Sequence, residues 1–190
     1  MKNERTKKIV FTAMFAALCC VTTYLIVIPV PYGFGYVNFG DVFVLLAAWG
    51  LGGYGVVAGI GCALADVWSG YAVYAPATLV IKALMAAVGY YLYAVLKKMI
   101  KKEPLDFLPR FLAASVAELA MAIGYFLFEW IMYGFAAASA GMPFNLLQGA
   151  CCAVCAVALL AALYPMPVVH RLFPALKGNA KKRTKDAKEE

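Results

Sequence analysis

Long apolar runs, separated by proline and glycine, constrain this chain more than any other feature of its sequence. The four longest runs occupy residues 9–28, 77–96, 107–135 and 144–163. Each approaches or exceeds the roughly 20 residues that a helix needs to cross a bilayer. Only 14% of the residues are charged, against about 25% in a soluble domain. With two shorter runs at 41–50 and 54–68, the pattern predicts an all-α membrane protein built as a bundle of six transmembrane helices.

The two short runs leave two interpretations open. Each is shorter than a straight membrane span, so 41–50 and 54–68 form either two crossings or a re-entrant hairpin. In both cases the chain returns to the side from which it entered. Both termini are therefore expected on the same side of the membrane.

The distribution of positive charge predicts which side that is. The 17 Lys and Arg residues fall, apart from Lys82, in three clusters at 2–8, 97–110 and 171–188. Neither residue type occurs in the loops between them, at 29–40, 69–76 and 136–143. Because Lys and Arg accumulate in cytoplasmic loops, both termini are predicted to be cytoplasmic and the three uncharged loops to face outside. The basic residues are not interleaved with aromatic ones, so they do not indicate nucleic-acid binding.

One membrane domain is expected over 1–170, followed by a basic cytoplasmic tail at 171–190. The tail is polar and low in complexity after Gly178. It is expected to be disordered or to lie on the anionic inner leaflet. The six cysteines all fall in apolar runs, and no His or carboxylate pattern joins Cys151 and Cys155. Buried free thiols and no metal site are therefore expected.

Ionisable and amide side chains inside the apolar runs are candidates for function, because a polar group within a membrane is costly. The topology assigns to the outer half of the bundle Asp41, Asp66, Lys82, Glu129, Asn145 and Gln148. Glu118 lies nearer the middle, and it shares a helix face with Glu129, three turns away. Aromatic residues of the same half are Tyr32, Phe34, Tyr36, Trp68, Tyr71, Tyr74, Tyr125, Trp130 and Tyr133. Together they predict an outward-facing pocket for a flat, polar, heteroaromatic ligand.

A purely structural alternative is that these polar groups satisfy one another. Lys82 would then pair with Asp66 or Glu129, and Asp41 would cap the N-terminus of its helix. Asp41 and Asp66 are the best candidates for such a structural role.

Catalytic motifs are not evident in the sequence. It has no phosphate-binding Gly-x-x-x-x-Gly-Lys loop, no His-Glu-x-x-His and no Gly-x-Ser-x-Gly. The sole histidine, His170, lies far from the polar cluster, and no nucleophile is paired with a base. An enzyme is therefore not expected, and active transport would need an energy source from a partner or an ion gradient.

Several segments together resemble one known family. They are YVNFGD at 36–41, GLG at 50–52, ADVWSGYAVYAPAT at 65–78, IK at 81–82, and Ala13 with Ala17 behind a basic N-terminus. They resemble the substrate-binding S components of energy-coupling factor (ECF) vitamin transporters. The most similar group is the riboflavin-transporter type, which includes hydroxymethylpyrimidine and pyridoxine carriers. The 65–78 segment with Lys82 is the most specific part.

The resemblance implies a multi-pass protein of a prokaryotic plasma membrane that binds a vitamin near its outer face, under the loop between the first two helices. It implies docking through Ala13 and Ala17 onto a membrane coupling subunit that carries two ATPase subunits, with no cofactor of its own. The predicted substrate-binding residues are Asn38, Tyr74, Lys82, Glu118, Tyr125, Glu129, Asn145 and Gln148. A pyrimidine or pyridine alcohol is favoured over riboflavin.

Rival functions remain open at this point. The first is a proton-coupled secondary transporter of a small polar solute, with Glu118 and Glu129 as proton sites. Such transporters usually contain internal repeats, and none is visible. The others are an intramembrane enzyme and an assembly subunit without a ligand.

Overall fold

The computed structural model describes residues 2–30, 35–100, 107–173 and 176. In chain order the elements are α1 Lys2–Leu25, β1 Ile28–Pro29, β2 Tyr36–Val37, α2 Gly40–Leu51, a 3-10 helix Gly52–Ala58, α3 Gly59–Trp68, α4 Ala75–Met99, α5 Phe107–Tyr133, α6 Phe135–Leu163 and α7 Pro167–Leu172. Stretches long and apolar enough to span a membrane are Arg5–Leu25, Gly40–Trp68, Ala75–Met99, Phe107–Tyr133 and Phe135–Leu163. The predicted all-α membrane fold is confirmed.

The Gly40–Trp68 stretch folds back on itself and contains both short apolar runs. A Cβ atom on Gly40 would lie 3.1 Å from Cys62 Sγ, and one on Gly55 would lie 2.5 Å from the backbone of Ala47. The 3-10 helix and α3 therefore run antiparallel to α2. The turn between them reaches the level of Lys8, whose Nζ is 5.5 Å from the Tyr54 ring. The two short runs thus form a helical hairpin that traverses the bundle, which completes the six-helix arrangement.

The two ends of the described chain meet at one end of the bundle. The ring centroids of Phe11 and Phe173 are 4.8 Å apart, and both Phe173 and Leu176 are buried. The packed domain therefore includes two side chains beyond residue 170, where the tail was expected to begin. The predicted disorder of the tail concerns mainly 177–190, which lie outside the described residues.

The connection between α5 and α6 is shorter than the sequence indicated. Residues 136–143 were expected to form an outer loop, but α6 begins at Phe135 and contains Pro143. Gly134 alone joins the two helices, with the positive φ of 87° that glycine adopts readily. Pro143 was interpreted as the start of a helix because proline is common there. Proline is also tolerated inside membrane helices, where neighbouring groups satisfy the freed carbonyl.

The core is centred on α2, which is buried along almost its whole length. Close packing of the surrounding helices depends on small residues, which allow membrane helices to approach. The clearest case is Gly61 of α3, where a Cβ atom would overlap the carbonyl oxygen of Ala16 in α1. The backbones of α1 and α3 therefore touch at this level.

Three side chains differ in burial from the sequence-based expectation. Arg110, taken as part of an exposed basic cluster, is fully buried. Its guanidinium lies 4.4 Å from the Tyr93 ring centroid and donates a 2.7 Å hydrogen bond to the Tyr93 hydroxyl. Cys151 and Cys155, expected to be buried thiols, are exposed on α6. In a membrane that surface faces lipid tails, which accept a small apolar thiol as readily as a protein core does.

The side of the membrane that each end occupies is a prediction, and impermeant thiol labelling of intact cells tests it. Single cysteines at Ala72, between α3 and α4, and at Ser139, near the start of α6, are exposed at the end opposite the termini. We expect both to react with the reagent, and a cysteine at Lys98, near the end of α4, to react only after the cells are opened. The parent protein gives the background from native cysteines. The reverse pattern would place the termini outside.

Candidate functional site

A pocket lies at the end of the bundle opposite the chain termini. Its walls come from the β1–β2 connection, α3, the start of α4, and the adjoining ends of α5 and α6. The lining residues are Val30, Gly35, Tyr36, Asn38, Asp66, Tyr74, Thr78, Tyr125, Glu129, Gly141, Asn145 and Gln148. The cavity among them is small, about 20 Å³, and it lies within about 410 Å³ of atom-free space that includes open solvent. Loop residues 31–34 lie next to this wall in sequence and outside the described residues, including the predicted aromatics Tyr32 and Phe34.

Two carboxylates of the pocket, Asp66 on α3 and Glu129 on α5, are each held by a tyrosine. The Tyr36 hydroxyl donates a hydrogen bond to Asp66 Oδ1, and the Tyr74 hydroxyl donates one of 3.5 Å to Glu129 Oε1. Burial, with the nearby carboxylate, raises the pKa of Tyr36 and of Tyr74, so both phenols remain protonated donors at neutral pH. The second oxygens, Asp66 Oδ2 and Glu129 Oε2, have no hydrogen-bond partner in the described part of the chain. Each carboxylate therefore has one oxygen that can accept a further donor, and at Asp66 the Thr78 hydroxyl is a nearby donor.

The position of Glu129 depends on the absence of neighbouring side chains. A Cβ atom on Gly141 would lie 2.7 Å from Glu129 Oε2, and one on Gly35 would lie 3.5 Å from Oε1. Glu129 is only 3% exposed. The carboxylate thus occupies a narrow slot between α6 and the β1–β2 connection, at the side of the pocket.

The floor of the pocket is organised by Gln148. Its Oε1 accepts a 2.9 Å hydrogen bond from the Asn38 backbone N–H, and its Nε2 donates one of 2.7 Å to Asp41 Oδ2. The Asn38 side chain in turn accepts a 3.0 Å hydrogen bond from the Gly40 N–H. Both ends of the Gln148 amide are used, so this residue ties the pocket floor to α2. Asn145, one turn earlier on α6, is half-buried at the pocket wall.

Beneath the floor, Lys82 forms an ion pair with Asp41, and both side chains are fully buried. The structural alternative paired Lys82 with Asp66 or Glu129 and made Asp41 a helix cap; the structure shows neither, and Lys82 pairs with Asp41 instead. Asp41 lies within the first turn of α2, after the N-cap residue Phe39. Gly59 explains how α4 comes so close to the hairpin, since a Cβ atom there would lie 2.8 Å from Lys82 Cβ.

Glu118 lies outside the pocket, although it shares a helix face with Glu129 as predicted. Both glutamates face α6. A Cβ atom on Gly149 would lie 2.9 Å from Glu118 Cβ, and a Cβ atom on Gly141 would lie 2.7 Å from Glu129 Oε2. Both Glu118 oxygens lack a hydrogen-bond partner among the described residues. The side chain borders a second, mainly apolar hollow between the lipid-facing surfaces of α5 and α6.

A group of possible metal ligands also lies at this level. Asp41, Glu118 and Cys152 bring one ligand atom each within 4.8 Å of one another. The Lys82 ammonium already neutralises Asp41 in the same place. A second cation there would be repelled by Lys82, so the arrangement suits a buried ion pair better than a metal site.

Six of the predicted binding residues line one pocket: Asn38, Tyr74, Tyr125, Glu129, Asn145 and Gln148. Lys82 and Glu118 do not. The sequence reasoning missed Thr78, whose hydroxyl is 2.9 Å from that of Tyr125. It counted Asp66 among the polar groups of the outer half but favoured a structural role for it. Position 78 belongs to the segment that carries the family resemblance, which was the available signal. Gly35 and Gly141 leave room for the Glu129 carboxylate because they have no side chain. Nothing in the sequence indicated that role.

The other predicted surface is on α1. Ala13 and Ala17 are both exposed, on the same face as the exposed side chains of Val10, Met14 and Val21. Two alanines four residues apart leave a shallow groove in this ridge, at a depth nearer the chain termini than the pocket.

Comparison with known proteins gives consistent results. Residues 3–165 match the family described as ECF-type riboflavin transporter, S component. A protein of Pyrococcus woesei, described as an uncharacterized protein in the gap 3′ region, is 35% identical over 117 residues, which are 60% of this chain and 72% of that protein. Among solved structures, the S component of a bacterial ECF transporter is similar with a TM-score of 0.64 and 19% identity, covering 85% of this chain and 97% of that one. At that identity the likeness shows a shared fold.

Proposed function

Since this chain belongs to the family of S components of ECF-type riboflavin transporters, we propose that it binds a small heteroaromatic vitamin or vitamin precursor in the pocket at the outer face. Hydroxymethylpyrimidine-like and pyridoxine-like alcohols are favoured, with riboflavin next. The family consists of transporter components and not of enzymes. The chain would act in the plasma membrane of a prokaryote and deliver its ligand inward together with a membrane coupling subunit and two ATPase subunits.

The observation that carries the proposal is the combination of ring faces and incompletely bonded polar atoms around one cavity. Tyr74 is central, with its ring centroid 6.5 Å from that of Tyr125. Asp66 and Glu129 line the same space, and each has one oxygen without a hydrogen-bond partner among the described residues. A flat ring can pack against the tyrosines while its nitrogens and hydroxyls reach these oxygens and Asn145. An analogue that lacked those groups would leave buried oxygens unsatisfied, which provides discrimination.

The rival, a proton-coupled transporter using Glu118 and Glu129, has less support. The two carboxylates are three turns apart on α5 and border different hollows. Glu129 belongs to the pocket, whereas Glu118 lies behind its floor. The family match also favours a binding subunit that is energised by a partner.

Asn145 offers the cleanest test, because the amide of Gln148 is already engaged by Asn38 and Asp41. We expect the protein, purified in mild detergent, to carry a heteroaromatic compound that an absorbance spectrum detects and mass spectrometry of the extract identifies. Asn145→Ala should weaken binding of that compound at least tenfold, about 1.4 kcal/mol, with little change in thermal stability. Leu147→Ala, an exposed change on the same helix, is the control. Equal binding by the Asn145 variant and the parent would place the ligand elsewhere. If the protein binds no compound of any vitamin class, the proposed function is refuted.

A further inference from the structure

The charges around the pocket do not balance. Lys82 is the sole Lys or Arg between residues 9 and 96, and its ammonium is paired with Asp41. Asp66 and Glu129 have no such counterion among the described residues. The adjacent residues 31–34 read PYGF, so they add no positive charge. The pocket therefore has an excess of two carboxyl groups, while the other basic residues fall in the three clusters of the termini and the α4–α5 connection.

These two carboxyl groups are also deeply buried and incompletely bonded. Asp66 and Glu129 are each only 3% exposed, and each has one oxygen without a hydrogen-bond partner in the described part of the chain. A buried carboxylate needs a donor or a cation to replace the water it has lost. Because both residues line the cavity, the missing partner can come from a molecule bound there.

The aromatic walls favour the same kind of molecule. Tyr36 and Tyr74 line the cavity from different elements, and each hydrogen-bonds one of the two carboxylates. The negative face of an aromatic ring attracts a cation most strongly where water is excluded. Tyr125 already has the Lys82 ammonium 5.2 Å from its ring centroid, so Tyr36 and Tyr74 are the rings left for a ligand.

We propose that the pocket selects a heteroaromatic ligand that carries a positive charge, held between Asp66 and Glu129 and packed against Tyr36 and Tyr74, and that it disfavours neutral and phosphorylated analogues. This inference rests on the proposed function and, within its class of heteroaromatic vitamins and precursors, places cationic members ahead of the neutral alcohols and riboflavin. Protonated primary amines and protonated or alkylated ring nitrogens are the groups that fit. An anionic phosphate would be repelled by the two carboxylates, and the one lysine near the pocket, Lys82, is already paired with Asp41.

Matched ligand pairs that differ in one charge test the proposal. Pyridoxamine and pyridoxine share a ring and differ in an aminomethyl against a hydroxymethyl group. The same holds for 4-amino-5-aminomethyl-2-methylpyrimidine and its 5-hydroxymethyl counterpart. In titrations of the purified, ligand-free protein, we expect the aminomethyl member of a binding pair to bind at least tenfold more tightly. Pyridoxal 5′-phosphate and flavin mononucleotide should bind more weakly than their unphosphorylated forms.

The pocket variants connect that preference to the carboxylates. Glu129→Gln and Asp66→Asn should each weaken the amine at least tenfold and the alcohol much less. Glu103→Gln is the control: it neutralises a glutamate between α4 and α5 in the sequence, and it should preserve the preference for the amine over the alcohol. Tighter binding of an alcohol or of neutral riboflavin, or a preference unchanged in both pocket variants, would overturn this inference and leave the proposed function standing. Failure of all these heteroaromatic compounds to bind would overturn both.

Discussion

Replacing Lys82 with methionine should destabilise the protein by about 3–5 kcal/mol, the range for breaking a buried ion pair by removing one partner. Lys82 and Asp41 are both fully buried and paired across α4 and α2. Methionine keeps most of the side-chain volume, so the loss would come from the charge and not from a cavity. Ligand binding should fall as well, because Asp41 also anchors the Gln148 amide at the pocket floor.

Thermal unfolding in detergent, followed by ligand titration at a temperature where the variant remains folded, measures both effects. Lys98→Met, a change of the same type at an exposed position, should shift stability by no more than about 0.5 kcal/mol. The double variant Lys82→Met with Asp41→Asn removes both charges and still offers Gln148 an acceptor, so it should recover most of the lost stability. If the double variant is no more stable than Lys82→Met alone, the charge of Asp41 is not the cause of the loss.

The part of the fold that could be predicted follows from short-range properties of the sequence. Apolar runs of membrane-spanning length gave α1, α4, α5 and α6, because a helix satisfies its backbone within its own segment. The hairpin at Gly40–Trp68 could only be narrowed to two alternatives. Its two arms are short, and its path through the bundle depends on contacts with α1 and α4 that periodicity does not encode.

The partner of Lys82 shows why the site was harder to predict than the helices. Asp41, Asp66 and Glu129 all lay in the outer half by sequence, and hydropathy gives depth along a helix but not rotation or neighbours. The choice among them is made by packing, since Gly59 brings the hairpin against Lys82. Gly141 acts in the same way at Glu129. A residue that works through the absence of a side chain leaves no chemical signature in one sequence.

The pocket and the core are nevertheless one connected structure. Gln148 joins the backbone of Asn38 at the floor to Asp41 below it, and Asp41 neutralises Lys82. The sequence placed all four polar groups on the outer side, and the structure shows that two of them, Lys82 and Asp41, support the pocket from below. This arrangement leaves Asp66, Glu129 and Asn145 with hydrogen-bonding capacity for a ligand.

Filling the groove on α1 should abolish uptake while leaving ligand binding intact. Ala13 and Ala17 are exposed, and close helix–helix contacts in membranes depend on small residues at such positions. Leucine at both positions adds bulk that a docked transmembrane partner cannot accommodate, but it projects into lipid in the isolated subunit. We therefore expect Ala13→Leu with Ala17→Leu to reduce uptake to background in cells that contain the coupling subunit and the ATPases. Its affinity for the ligand should stay within about twofold of the parent.

A second alanine pair separates docking from a general effect of bulk on a lipid-facing helix. Ala158 and Ala162 of α6 are also four residues apart and exposed, and they lie toward the same end of the bundle as Ala13. Ala158→Leu with Ala162→Leu should therefore transport like the parent. Loss of ligand binding in the α1 variant would mean that this face packs within the bundle, because α1 also touches α3 at Gly61. Normal uptake by the α1 variant would mean that the coupling subunit docks on another surface.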